Sequence, residues 1–168
     1  MMINDALRHI VIDGGILSLV IGALVMGSLW YNPRLWLQDY PKAVKEKVPP
    51  QTKQEKQQQR LIAAPFLLLM LGGPLVSILM VKAANGGAIT FSIAYLTAWG
   101  MLQFFNLFDA VVLDYLILTV MKPKFAVIPG STVEDYLDGG LAFQLKNYLK
   151  GIVITTVLAL PIAFVASL

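Results

Sequence analysis

The sequence predicts an all-α fold, a polytopic membrane protein built as a bundle of four transmembrane helices. Three observations predict it. The 168 residues are 57% hydrophobic and only 14% charged, whereas a soluble domain carries roughly 25% charged residues. The apolar surplus gathers into four uncharged runs, 14–31, 61–81, 83–108 and 151–168. A bilayer core about 30 Å thick needs about 20 helical residues, so each run suffices for one crossing. Finally, Lys and Arg concentrate on every second connection.

That charge bias sets the expected topology. The connection 32–60 holds Arg34, Lys42, Lys45, Lys47, Lys53, Lys56 and Arg60, and the later one holds Lys122, Lys124, Lys146 and Lys150. Only Arg8 and Lys82 fall on the other side. By the positive-inside rule, both basic loops are expected in the cytoplasm and both termini outside. The expected spans are about 10–31, 61–82, 92–121 and 148–168, in a single membrane domain 1–168 with cytoplasmic loops 32–60 and 122–147.

The first helix is expected to start near Asn4-Asp5, residues suited to capping, and to run to Tyr31. Its start does not read as a signal peptide: Arg8 alone is basic, Asp13 follows, and the apolar run is too long. Gly14, Ser18 and Gly22 form one small-residue stripe, and Ala23 and Gly27 a second. Such stripes let helix backbones approach closely in lipid, within the bundle or across a homodimer. Trp30 and Tyr31 suit an aromatic belt.

Asn32 is expected to cap and Pro33 to open a helical turn. Trp36, Tyr40, Val44 and Val48 then recur every fourth residue amid lysines. That pattern fits a short interfacial helix lying on the membrane, interrupted at Pro41, or a solvated basic loop. Thr52 with Glu55 is a capping box, so the second helix should begin in water near Lys53. Pro65 permits a kink. Gly72-Gly73-Pro74 near midspan is expected to give a kink, or a break lining a site.

Asn85-Gly86-Gly87 reads as a tight turn. The third helix, from about Ile89 to Met121, would be roughly 50 Å long, so it must tilt, protrude or break. Lys122-Pro123 ends it. Phe125 to Ile128 reads as extended. Ser131 with Glu134 is expected to cap a helix of two turns, stopped by Gly139-Gly140. The fourth helix, from about Leu141, carries a small-residue stripe of Gly151, Thr155, Ala159, Ala163 and Ser167, with Pro161 inside it.

The candidate functional residues follow from this frame. Asp109 sits deep in the third span, and an ionised Asp at a helix centre costs about 2.5–3.5 kcal/mol. At α-helical spacing, Gln103, Asn106 and Asp109 share a face and form an intramembrane polar site. No basic residue lies inside the membrane to pair with Asp109. A proton, a small cation, or hydrogen bonds from Ser77 or Thr155 are the expected partners. Asp114 lies 140° from Asp109 at that spacing, and is expected to cap or to pair with Lys122 or Lys124. Asp109 and Asp114 are the candidate acid and base of any catalysis. Asp13 is expected to be solvated or capping. The loop residues Gly130, Ser131 and Thr132, with Lys122 and Lys124, make a second candidate, for anions such as lipid headgroups.

The chain has no cysteine and one histidine, His9. Thiolate sites and thiol catalysis are excluded, and a His-based metal site or a Ser-His triad is not expected. No metal and no cofactor is implied. The net charge of +3 follows the topology and signals no nucleic acid. The expected partners are the lipid bilayer, its anionic headgroups, and a second copy or another membrane protein.

The pieces WYNPRLW, VPPQTKQEK, NLFDAVVLDY and FAVIPGST resemble a group of small four-helix integral membrane proteins of bacteria. The resemblance implies a home in the bacterial inner membrane, and it brings no activity and no site residue. Three functions fit these readings. The first is an accessory or interaction protein of the cytoplasmic membrane with a polar site around Asp109. The second is a homo-oligomeric proton- or cation-linked transporter. The third is a membrane-embedded enzyme or binder of lipid or isoprenoid.

Overall fold

A computed structural model describes residues 2–138 and 140–168. Gly139, expected as part of a helix stop, lies outside them. Among the described residues nine helical segments follow one another and no strand occurs. The long helices are α1 (Met2–Tyr31), α3 (Lys53–Ala84), α4 (Phe91–Phe108) and α6 (Gly140–Ser167). A π-helix, Asp109–Met121, continues α4. With that extension, four helices are long and apolar enough to cross a membrane.

Each boundary has a local cause. The helix α1 starts at Met2, so Asn4 and Asp5 lie inside its first turn. Instead of capping, the Asp5 carboxylate accepts from Asn85 Nδ2 at 3.1 Å, which ties α1 to the turn after α3. In that turn Gly86 and Gly87 have φ of 77° and 81°, a region that glycine enters at little cost. The expected capping box of α3 forms: Thr52 Oγ1 accepts from the Glu55 amide, and Glu55 accepts from the Thr52 amide at 2.7 Å. Despite Gly72, Gly73 and Pro74, α3 is unbroken. The Pro74 ring is fully buried, and Gly73 lets Leu17 of α1 lie close.

The hub of the bundle is α4, which packs on α1, α3 and α6. Its main core holds Leu17, Ile21, Ile78, Met101, Leu102 and Ile162. The Gly14–Ser18–Gly22 stripe faces α4 and its extension, touching Phe104 and Phe108. Thr155, Ala159 and Ala163 of the α6 stripe are buried. Ala23 and Gly27 remain exposed. Large apolar side chains such as Leu19, Leu68 and Val153, each more than 60% exposed, cover the outside.

The two basic connections meet at one end of the bundle and build a second small core. It contains Tyr40, Val44, Val48, Leu118, Ala126 and Ile128. Residues 33–39 are a 3-10 helix capped by Asn32, and α2 spans Lys42–Lys47. An interfacial helix or a solvated loop is the expectation for this stretch. Tyr40, Val44 and Val48 are buried against the other connection, because that surface satisfies their apolar faces within the chain. The Tyr40 hydroxyl donates to Ala126 O at 2.6 Å, and Lys47 Nζ donates to Asp135 Oδ1 at 2.6 Å. Lys124–Ala126 is a 3-10 turn where an extended run was expected.

Candidate functional site

The site begins with the change of helix type at Asp109. A π-helix bonds each amide to the carbonyl five residues back, as the Lys122 amide does with Ile117 O at 3.1 Å. Residues five apart therefore stand one above the other. That brings Asp109 and Asp114 onto one face and corrects the 140° separation expected at α-helical spacing. Lys122 ends the segment in the left-handed region, with φ 49°.

Both aspartates line a cavity of about 550 Å³ between the helix ends and the folded connections. Asp39 and Asp138 join them from the two connections, and Lys45, Lys146 and Lys150 also line it. Asp114 feels the charges of Asp39 and Asp109, and Asp109 that of Asp39. Asp39 is exposed to the cavity yet ringed by protein, and this burial pushes its carboxyl above the usual carboxylate range. Among the described residues, no three of His, Asp and Glu are placed to hold a metal ion. Apolar walls come from Trp36, Phe66, Phe105 and Phe143.

The expected partners of Asp109 are engaged elsewhere. Ser77 donates to Asp13 at 2.7 Å. Thr155 donates to the Gly151 carbonyl and accepts from Gln103 Nε2 at 2.8 Å. Nor does Asp114 pair with Lys122 or Lys124: among the described residues the ion pairs are His9–Asp13, Arg34–Glu55, Lys42–Glu46 and Lys47–Asp135. Of the expected polar face, Asn106 and Asp109 reach the cavity and Gln103 does not. Asn106 also donates to Tyr148 O at 3.2 Å, so Gln103 and Asn106 clamp α4 to α6.

The Gly130 loop is occupied by its own chain. The Ser131 amide donates to Ile128 O at 3.0 Å. The capping box is Thr132 with Asp135, one residue beyond the expected pair, and the Thr132 amide donates to Asp135 Oδ2 at 2.9 Å. The helix that follows, α5 (Val133–Tyr136), has one turn rather than two. A carboxylate already stands at its N-terminus. Lys122 and Lys124 flank the loop without an ion-pair partner among the described residues.

Asp13 is only partly solvated and caps nothing. It accepts from Ser77 and lies 2.5 Å from His9 Nδ1, forming a polar cluster between α1 and α3. The Ser77 hydroxyl also lies 3.3 Å from His9 Nδ1, the nitrogen that meets the carboxylate. Sequence reasoning missed Asp39, Asp138, Thr119 and Gln144 as cavity residues. The one available signal was Asp39, a carboxylate inside the Trp36–Tyr40 stripe.

No protein-family model, curated protein or solved structure matches this chain. The chemistry of the site rests on its own residues.

Proposed function

We propose that the chain is a small integral protein of a bacterial cytoplasmic membrane that binds an ammonium-bearing polar group in the carboxylate cavity. Its termini face outward and its basic connections face the cytoplasm. The Lys and Arg bias supports this orientation, as does the meeting of both basic connections at one end of the bundle. The observation that carries the ligand reading is the arrival of Asp39, Asp109 and Asp114 in one cavity. With Asp138 the cavity holds four carboxyl groups against the three amines of Lys45, Lys146 and Lys150, and a bound cation relieves the repulsion that remains. The carboxyl groups share a space without converging as metal ligands, which suits a broad ammonium head better than a bare ion.

This reading favours the lipid-binding expectation over the accessory one, because the small-residue stripes on α1 and α6 are largely spent inside the bundle. Transport is less well supported. The unbroken α3 builds no midspan site, and Leu17, Ile21, Met101 and Leu102 fill the core above Asp109.

Titration with glycerophosphoethanolamine, followed by thermal shift, tests the proposal. Binding should be saturable, and glycerophosphate, which lacks the amine, should give little shift. The D109N/D114N variant should bind at least about tenfold more weakly, the scale of a lost charged hydrogen bond. Acidification should weaken binding too. With its pKa raised by burial, Asp39 becomes neutral at a pH above the ordinary carboxylate range, so the loss begins there. Equal responses to the two titrants, or an unaffected D109N/D114N variant, would overturn the proposal.

A further inference from the structure

A second hollow, of about 400 Å³, lies on the outer side of the π-helix. One wall is Leu107, Val111 and Tyr115, and the other is Leu141, Leu145 and Tyr148 of α6. It is almost wholly apolar, and Leu107, Val111, Leu141 and Leu145 are each more than half exposed. Gln144 borders both this groove and the carboxylate cavity. Its Nε2 donates to Thr119 Oγ1 at 2.5 Å, and the Thr119 hydroxyl donates to Asp114 O at 2.8 Å. Among the described residues this is the one side-chain hydrogen bond between the π-helix and α6. Farther along, α6 is bonded to α4 through Asn106, Gln103 and Trp99. The two walls are thus fastened at one end, and at the other a single neutral hydrogen bond joins them, made by the residue that lines both hollows.

We infer that the ligand is an amphiphile with a zwitterionic amine–phosphate head and an acyl chain, and that it reaches the cavity sideways between the π-helix and α6. The head lies in the cavity, ammonium toward Asp39, Asp109 and Asp114 and phosphate toward Lys146 and Lys150. The chain lies in the groove. The Gln144–Thr119 bond is the gate that parts to admit the neck of the molecule. The inference rests on the ammonium reading of the cavity and adds the chain, the phosphate and the route. Gln144 lines both hollows and makes them neighbours, which supports one occupant for both. Their sizes fall within the roughly 300–1,000 Å³ of ligand sites. A lone head would leave the groove without a role, and a lone chain would leave the carboxylates without one.

The test compares lysophosphatidylethanolamine with glycerophosphoethanolamine, the same head without a chain, on the full-length protein in nanodiscs. The chain-bearing molecule should bind at least about tenfold more tightly, the effect of burying two methylene groups. V111W, which fills the groove from an exposed position, should remove that advantage and leave glycerophosphoethanolamine binding unchanged. L145W fills it from the other wall and serves if V111W fails to fold. Equal affinity for the two molecules, or a chain advantage that survives both fillings, overturns the groove and lateral route while the ammonium site stands. Binding of neither overturns the ammonium site itself.

Discussion

Gly151 shows how much one missing side chain decides. A Cβ at this position would overlap the Asn106 carboxamide, so the glycine is what lets Asn106 reach Tyr148 O and clamp α4 to α6. G151A should cost about 1–3 kcal/mol, as overpacking does, read from unfolding in mild detergent. In an N106A background most of that cost should vanish, because the two positions share one space. The stripe containing Gly151 is legible in the sequence as a packing face. What it packs against is not, since spacing along one helix carries no register for its neighbour. Asp13 marks the same limit: its sequence neighbours suggest solvent, and Ser77, 64 residues away, turns it inward.

The π-helix decides the geometry of the site. The length of the third hydrophobic segment signals that something must give, and the tilt, protrusion or break expected there appears as a change of hydrogen-bond register at Asp109. Intrinsic propensity does not distinguish the two helix types, so the facing of Asp109 and Asp114 is invisible before the fold is known. The absence of cysteine makes the register directly testable with single substitutions. D109C and D114C should both react with a water-soluble cationic thiol reagent, while V111C and L116C on the apolar outer face should not. The reagent should act about tenfold faster than an anionic one, the low end of field focusing in a charged cleft. Reaction at 109 with none at 114 would restore an ordinary α-helix.

At the scale of the molecule, two connections separated by a pair of spans fold as one body beneath the bundle. The charge count predicts that they share a side; the apolar residues among the lysines, expected on an interfacial helix or in a solvated loop, supply their common core. Lys47 and Asp135 latch this cap. The hydrogen bond from Lys47 holds Asp135 below the usual carboxylate range. The latch is therefore fully present above that range and is lost as pH falls through the lowered value. Limited proteolysis by an acid-active protease should cut the connections faster as pH drops through this window. In D135N the cutting should be fast throughout and lose that pH dependence.

The position of α4 at the centre has a consequence for biogenesis. The stripe of Gly14, Ser18 and Gly22 finds its partner about 90 residues later in the chain, at Phe104 and Phe108. Ribosomes lengthen chains at about 5–20 residues per second, so several seconds separate the synthesis of α1 from that of its partner. During that interval its small-residue face is a vacant docking seam, open to any passing helix of similar relief. The speed with which α4 follows sets how long that seam stays unclaimed.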